Sequence, residues 1–408
     1  MNILFLNLYD NQGGAETILN LCYRKAKDKN NCYRFVLAGD QHKNDRLYSV
    51  MTKDMFLRLQ NMLEHFSLLK RTVRMWAFLY IVCLVRLHKI DVIHLHNTHD
   101  FLISTKGIEV LLHFVPVVWT FHDMWGMTGH CAYSSKCIKW KTGCHNCNNL
   151  LEYPSLNNDC TLKLFQRKKN LYKSKNLYRV CPSEWLYNMV VESGMGKRNL
   201  FHIPNGVECG TFKRIDKKIA RKNCGLDENK KYLLFVAASL NNKKKGMEYL
   251  LTALKMLEDI EELQLLIIGE SCKKAVKGRI PVKQFGYISD KKIANTLYAA
   301  ADLFVLPSIE DNFPCTTLEA MASGTPVIAF AVGGITEQLY DGTGYLVNEI
   351  SSTALAEGIR TALTDDIQRN NVAEKAYAKC IEEYSAQKMG DRYGKLYRDA
   401  VRQFRRDK

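Results

Sequence analysis

Long apolar runs are missing from this chain of 408 residues. The longest uncharged apolar stretch, Met75 to Val85, has roughly half of the ~20 residues that a helix needs to span a bilayer. The opening residues Met1 to Leu8 carry no cationic leader and no small-residue cleavage site, which is typical of a buried strand rather than a signal peptide. The sequence therefore predicts a cytoplasmic protein without a transmembrane helix.

Low-complexity stretches that would indicate extensive disorder are also missing. Apolar residues make up 47% and charged residues 25% of the chain, a globular composition whose length predicts two domains. Of the net charge of +16, the first 200 residues contribute 27 Lys and Arg against 15 Asp and Glu. A basic surface of this kind attracts phosphate-bearing partners, whether nucleic acid, anionic lipid or a pyrophosphate-linked substrate.

The Gly-x-Gly-x-x-Gly fingerprint of dinucleotide-binding proteins is absent, which argues against a dehydrogenase. A different glycine pair, Gly13-Gly14, lies within residues 11–17, after the first predicted strand and at the start of the first helix. Glycines there let the backbone approach an anion or a sugar closely. A purely structural turn is the alternative.

Short apolar runs alternate with amphipathic stretches twice along the chain, which predicts an α/β protein with two parallel sheets. The boundary is expected near residue 208, after the turn-rich segment 203–207. Residues 1–207 and 208–384 then form the two domains, and residues 385–408 form a basic helix that packs back on the first. The predicted strands are 2–8, 33–38, 92–96, 117–121 and 179–182, then 232–237, 264–269, 282–286, 303–307, 326–330 and 344–347.

Histidines mark the ends of two strands in the first half. His122 follows a predicted strand and precedes Asp123, at the edge where open parallel sheets bind ligands. His94 and His96 share one face of another strand because side chains alternate along a strand. We expect His122 to contact substrate and His96 with Asp123 to line an acceptor site. Structural roles, and metal ligation by His94 and His96, are the alternatives.

Two segments of the second half combine charge with a helix start. Lys244 and Lys245 precede Gly246 before a helix near Met247, where the cations could hold a diphosphate. In residues 307–326, a loop after a strand leads into a helix predicted to open at Thr316 or Thr317. Asp311 in the loop and Glu319 in the helix are eight residues apart and can point into one site.

Together with Pro204 to Val207 and Val332 to Glu337, these motifs resemble the retaining glycosyltransferases of family 4, the glycosyl transferases group 1, of the polysaccharide and O-antigen assembly type. The resemblance covers most of the chain. It implies the GT-B fold, in which two Rossmann-like parallel-sheet domains face an interdomain cleft that holds the active site.

The resemblance also implies roles for individual residues. His122, Asp311 and Lys245 would be catalytic, with Lys245, Lys244, Gly13 and Gly14 on the diphosphate. Glu319 would bind the ribose, and no metal or other cofactor would be required for catalysis. The donor sugar would be held by Asp311 and the segment Asn312, Phe313, Pro314, Cys315 and Thr316.

Two departures from the family pattern leave alternatives open. The Arg that usually precedes Lys-Gly by a few residues is missing, so Lys243 or Lys244 would have to replace it. Asp311 is one methylene shorter than the usual Glu, so that either Asp311 or Glu310 would meet the sugar.

Four cysteines, Cys131, Cys137, Cys144 and Cys147, form a C-x5-C-x6-C-x2-C pattern within loop 129–148. In a reducing compartment this spacing favours a structural zinc site, with free thiols and disulfides as alternatives. The loop is also similar to an insertion in the polysaccharide-assembly subset of family 4, where it would shape the acceptor site.

The expected function is the transfer of a sugar from a nucleotide-diphosphate sugar to a lipid-linked glycan acceptor, in the synthesis of a surface polysaccharide or O-antigen. A nucleotide-sugar epimerase or a phosphorylase on the same fold is the alternative. A zinc-ribbon nucleic-acid-binding protein would leave the second-half motifs unexplained, so no nucleic acid is expected.

Residues 55–89 mix apolar and cationic side chains. This composition fits either a peripheral protein that lies on an anionic membrane surface or an ordinary helix with a solvated face.

Overall fold

Two parallel sheets organise the chain in the computed structural model, which describes residues 1–10, 13–39, 46–52, 54–56, 58–59, 67–99, 101–270 and 278–408. One unit comprises Met1–Pro204 with Met389–Lys408, and the other comprises Asn205–Lys388. The double alternation of the sequence thus correctly predicted two parallel sheets. Asn11 and Gln12 of the predicted glycine loop, and residues 57 and 60–66 of the predicted membrane stretch, lie outside the described residues.

The sheet of the first unit has seven strands in the order β3-β2-β1-β4-β5-β6-β7. Its strands are β1 (Asn2–Tyr9), β2 (Asn31–Ala38), β3 (Leu47–Met51), β4 (Val92–Leu95), β5 (Val117–Thr120), β6 (Leu177–Cys181) and β7 (Leu200–His202). The helices before residue 204 include α1 (Gly14–Lys27), α2 (Ser67–Leu87), α3 (Thr105–Leu111), α4 (Thr161–Leu171) and α5 (Glu184–Glu192).

The central strands form because their apolar runs can be buried on both faces. Residues Ile3 to Leu6 of β1 are fully buried, and β1 pairs in parallel with β2 on one side and β4 on the other. The apolar pattern of the sequence does not predict β3 and β7, which lie at the two edges of the sheet. Their half-exposed residues, such as Tyr48 and Phe201, lack the continuous apolar pattern of a central strand.

The sheet of the second unit has six strands in the order β10-β9-β8-β11-β12-β13. Its strands are β8 (Lys231–Val236), β9 (Leu263–Ile268), β10 (Val282–Gln284), β11 (Leu303–Leu306), β12 (Val327–Phe330) and β13 (Tyr345–Val347). Its helices are α6 (Lys217–Asn223), α7 (Met247–Lys255), α8 (Lys291–Ala300), α9 (Cys315–Ala322), α10 (Ile335–Leu339), α11 (Ser352–Thr364) and α12 (Asp366–Glu383).

The buried carboxylate of Asp302 holds the amino ends of β8 and β11 together. It accepts hydrogen bonds from the guanidinium of Arg221 at 2.6 Å, the amine of Lys217 at 2.9 Å and the backbone N–H of Tyr232 at 2.7 Å. A buried carboxylate that lost these partners would be costly. The network therefore sets the register of the strands whose opposite ends carry the functional segments.

The last helix, α13 (Ala386–Arg406), contributes its residues from Met389 onward to the first unit. Tyr393 and Tyr397, four residues apart, lie on one face of the helix and are buried against the first sheet. The Tyr393 hydroxyl is 2.7 Å from Thr120 Oγ1, and the Tyr397 hydroxyl is 2.7 Å from His94 Nδ1. Among the helices of the described ranges, none combines the length and apolarity that crossing a membrane demands.

Candidate active site

The lysine-glycine segment of the second unit lies directly against the end of β11. Residues Lys243–Lys245 form a 3₁₀ turn in which the side chain of Asn242 accepts a hydrogen bond from the N–H of Lys244. Gly246 follows with a φ of 72°, and a Cβ there would lie 1.7 Å from the carbonyl oxygen of Pro307. Only glycine allows this approach, which brings the lysines to the loop that follows β11.

Two ion pairs join the segments. Lys245 Nζ lies 2.6 Å from Asp311 Oδ2, and Lys244 Nζ lies 3.1 Å from Glu310 Oε2. Each acidic residue thus has its own lysine, and the Lys244 carbonyl also accepts a hydrogen bond from the N–H of Ile309 at 2.9 Å. Lys243 is exposed. Of the two lysines considered as replacements for the missing Arg, Lys244 is the one held at this loop.

The loop from Asp311 to Pro314 is buried and held by side-chain amides. Asn205 Nδ2 donates to the Phe313 carbonyl at 2.9 Å, and Gln338 Nε2 donates to the Pro314 carbonyl at 3.1 Å. The Asp311 side chain accepts from the N–H of Asn312 at 3.1 Å. Asn205 lies within the motif Pro204 to Val207, and Gln338 follows the motif Val332 to Glu337. Their role in holding the loop is visible only in the three-dimensional structure.

Helix α9 begins at Cys315, so the predicted start at Thr316 or Thr317 was wrong by one or two residues. Pro314 is the N-cap, and its ψ of 132° is extended, so the helical conformation starts only at the next residue. Thr316 therefore lies in the first turn, and Glu319 lies one turn further along.

Glu319 is in a polar but poorly solvated position on α9. Its Oε2 accepts a hydrogen bond from the Tyr298 hydroxyl at 3.1 Å. Burial raises the pKa of Glu319 to about 7, although the nearby charge of Lys291 opposes the shift. Burial likewise raises the pKa of the Cys315 thiol to about 12, so this thiol is neutral. Tyr298 and Lys291 of α8 were missed because neither carries a recognisable motif.

In the first unit, His122 is hydrogen-bonded to His96. His96 Nδ1 is 2.8 Å from His122 Nε2, and the two rings are stacked with centroids 5.1 Å apart. Burial lowers the pKa of His122 to about 4 and that of His96 well below its usual value. Both imidazoles are therefore neutral near pH 7, and one ring donates to the other.

Asp123 bonds to the loop that follows β4 as well as to its own loop. Its Oδ2 lies 2.8 Å from His99 Nε2, and its Oδ1 accepts from the N–H of Trp125 at 2.8 Å. Burial alone would raise its pKa, but His99 and these hydrogen bonds lower the pKa of Asp123 overall. Lys168, which lies in no recognisable motif, donates to the carbonyls of Trp125 at 2.5 Å and Thr128 at 3.0 Å. These contacts hold the loop that carries His122.

The glycine loop and the histidines follow neighbouring strands of the first sheet. Gly13 has a φ of 93° and is the N-cap of α1, which begins at Gly14. Asn7 connects the strand ends, since its Nδ2 donates to Glu16 Oε1 at 2.9 Å and its Oδ1 accepts from the N–H of Asn97 at 2.9 Å. The first unit thus groups Gly13, Gly14, His96 and His122 at the carboxyl ends of β1, β4 and β5, whereas Lys244, Lys245, Asp311 to Thr316 and Glu319 belong to the second unit.

The cysteine loop is tied to α4 by hydrogen bonds. Thr161 Oγ1 donates to the Cys144 carbonyl at 2.7 Å, and Cys147 Sγ is 3.5 Å from His130 Nε2. Cys131, Cys137, Cys144 and Cys147 are free thiols. In the part of the chain that the structure describes, no three His, Cys, Asp or Glu side chains are grouped closely enough to hold a metal ion. The zinc prediction therefore depends on the spacing of the cysteines alone.

Two family models match successive parts of the chain. The model described as Glycosyltransferase Family 4 matches residues 13–210, and the model described as Glycosyl transferases group 1 matches residues 216–379. The first match includes the glycine loop and His122, and the second includes Lys245, Asp311 and Glu319.

Known proteins are similar in sequence or in fold. WcaC of Escherichia coli K12, a glycosyl transferase named for colanic acid biosynthesis, is 27% identical over 76% of each chain. The lipopolysaccharide 1,2-N-acetylglucosaminetransferase of Salmonella typhimurium is 31% identical over 47% of this chain, which spans only 54% of that relative's length. The structure of Anabaena HepE with UDP-glucose covers 98% of this chain and 100% of its own, with a TM-score of 0.68 and 18% identity.

Proposed function

Because the chain belongs to the family 4, or group 1, glycosyltransferases and has their GT-B fold, we propose that it transfers a sugar from a nucleotide-diphosphate sugar to a glycan acceptor with retention of anomeric configuration. The observation that carries the donor assignment is the cluster of charges that Lys245, Asp311 and Glu319 form around Cys315, between the end of β11 and helix α9. It combines a cation for a diphosphate with carboxylates for hydroxyl groups.

Each group of the cluster has a distinct task on the donor. Glu319 accepts hydrogen bonds from the ribose hydroxyls and keeps the Tyr298 hydroxyl beside them. Asp311 and the backbone N–H groups of Asn312, Phe313, Cys315 and Thr316 bind the hydroxyls of the donor sugar, while Pro314 lacks an N–H and shapes the segment. Lys245 transfers part of its charge interaction from Asp311 to the diphosphate as negative charge develops on the leaving group.

Retention follows if departure and attack occur on the same face of the sugar. The leaving diphosphate then accepts the proton of the incoming hydroxyl, so no carboxylate nucleophile is required. Neutral His122, oriented by its bond to His96, contributes a hydrogen bond near the reacting carbon rather than a charge. The positive contribution comes from Lys245, Lys244 and the N-terminus of α9.

We further propose a lipid-linked glycan acceptor in surface polysaccharide or O-antigen synthesis. The names of the relatives from Escherichia coli and Salmonella typhimurium support this assignment, as does the positive charge of the first 200 residues, which suits a pyrophosphate linkage. His96 and the loop that begins at Asp123 are the acceptor-side residues in this proposal.

Thermal shift with UDP, GDP, ADP, CMP and dTDP tests the donor site. A ligand that binds only the folded state raises the melting temperature. At a ligand concentration of about a hundred times Kd, the free energy of unfolding increases by about 2.7 kcal/mol. We expect one diphosphate to stabilise the wild type but not Glu319→Ala. The control Glu357→Ala removes an exposed helical glutamate of the same unit and should respond as the wild type does. No shift with any nucleotide would contradict the donor assignment.

Product analysis separates this proposal from a nucleotide-sugar epimerase or a phosphorylase. Transfer to a lipid-pyrophosphate glycan with unchanged anomeric configuration is expected. Epimerised donor, or sugar phosphate released by inorganic phosphate, would favour the alternative.

A further inference from the structure

The outward face of α2 is apolar although it lies at the protein surface. Leu68 is 75% exposed, Met75 53% and Trp76 62%, and further along the helix Leu79, Cys83 and Leu87 are also exposed. Leu68 and Met75 are two turns apart, and Trp76, Leu79, Cys83 and Leu87 follow at intervals of three or four residues, so that all six lie on one side of the helix. The opposite side is equally apolar but is buried in the core of the first unit, through Ala77, Ile81 and Leu84.

A helix with two apolar faces needs two apolar surroundings. The core provides one of them and holds α2 in place, so the helix cannot turn its outer face inward. Water is a poor environment for the other face, because exposed apolar patches of this kind mark interaction sites. The outer face (Leu68, Met75, Trp76, Leu79, Cys83 and Leu87) is therefore expected to have a partner.

The charges of α2 restrict the kind of partner. The helix contains four cationic residues, Lys70, Arg71, Arg74 and Arg86, and no Asp or Glu. Arg71 and Arg86 are exposed near the two ends of the face. The Arg86 guanidinium lies 5.9 Å from the ring centre of Phe114, another exposed aromatic residue. A partner must therefore be apolar beneath the centre of the face and negatively charged around it.

We propose that this outer face docks on an anionic lipid bilayer, with the helix lying in the plane of the headgroups. The 21 residues of α2 extend about 32 Å along the surface. Met75, Trp76 and Leu79 then enter the boundary between headgroups and acyl chains, a region in which tryptophan is favoured. Arg71 and Arg86 bind lipid phosphates. A second copy of the same face is a poor partner, since it would place arginines against arginines with no carboxylate from either helix.

This surface goes beyond the proposed transferase function because lipid binding can be measured without turnover. Vesicle co-sedimentation of the full chain is the test, with phosphatidylcholine alone and with phosphatidylcholine containing about one third phosphatidylglycerol. The wild type should bind the mixed vesicles and bind less at high salt. Met75→Ser/Trp76→Ser/Leu79→Ser should lose binding with an unchanged melting temperature, because these side chains are exposed.

Arg71→Gln/Arg86→Gln should weaken binding on the order of 30-fold, at about 5-fold for each surface cation. The control Ile219→Ser/Ile367→Ser removes two exposed apolar side chains of the second unit and should bind as the wild type does. Equal binding of the wild type and the triple serine variant would overturn the proposal. So would binding that ignores lipid charge, or sedimentation showing a dimer that the triple variant abolishes.

Discussion

Replacing Gly246 by alanine should damage the donor site through the backbone rather than through any side-chain contact with substrate. The new Cβ would lie 1.7 Å from the Pro307 carbonyl oxygen, where such atoms do not approach within 3.0 Å, so one backbone must move by about 1.3 Å. The left-handed φ of 72° adds a conformational cost of about 1 kcal/mol. We expect a total destabilisation of at least about 3 kcal/mol.

Gly225→Ala is the matched control, because Gly225 has a φ of 60° and no atom within 4 Å of the position of a Cβ. It carries the conformational cost without the clash. For a unit of this size, 1 kcal/mol lowers the melting temperature by about 2–4 °C. Gly225→Ala should therefore melt about 3 °C lower than the wild type, and Gly246→Ala about 10 °C lower.

The two variants should also differ in nucleotide binding. Moving Pro307 displaces the Lys244 carbonyl from the Ile309 N–H and Lys245 from Asp311, whereas Gly225 contacts neither segment. Thermal shift with the nucleotide that stabilises the wild type should show no response in Gly246→Ala and a normal one in Gly225→Ala. If both variants had the same melting temperature and bound the nucleotide equally, the close approach of Gly246 to the Pro307 carbonyl would have no role in forming the site.

Three further predictions concern ionisation, the last helix and the cysteine loop. Because burial raises the pKa of Glu319 to about 7, its contribution to stability is complete below the usual carboxyl pKa and is lost as pH rises through 7. The melting temperature should therefore fall less between pH 5 and 8 in Glu319→Gln than in the wild type. Part of the fall should remain, because burial also raises the pKa of Glu16 to about 7. An equal fall in both proteins would refute the raised pKa of Glu319. Tyr397→Phe removes the hydroxyl bonded to buried His94 and should cost about 1–3 kcal/mol in urea unfolding, whereas Tyr340→Phe, at a tyrosine that is 71% exposed, should cost almost nothing. If the cysteine loop binds zinc, the purified wild type should contain one equivalent of the metal and Cys144→Ser should contain none. A wild type that contains no metal, and whose melting temperature is unchanged by a chelator, would contradict the zinc prediction.

The sequence alone was sufficient for most of the architecture. Eleven strands were predicted close to their observed places, and the central ones were recognisable because a strand buried on both faces needs a continuous apolar run that is visible locally. The edge strands β3 and β7 were missed, since half-exposed strands do not need such a run. The segments with Gly13, Lys245 and Asp311 were recognisable through their resemblance to family motifs, because glycine or charge at a helix start is by itself equally typical of a structural turn. Their roles stay predictions.

Only the tertiary structure decided which groups meet. The sequence could not choose between Asp311 and Glu310, whereas the fold pairs Asp311 with Lys245 and Glu310 with Lys244. It likewise could not connect Tyr397 with His94, which are 303 residues apart along the chain. Local composition determines where a strand or a helix forms, but a pairing between distant residues depends on how strands are ordered and helices packed, and that information is distributed over the whole chain.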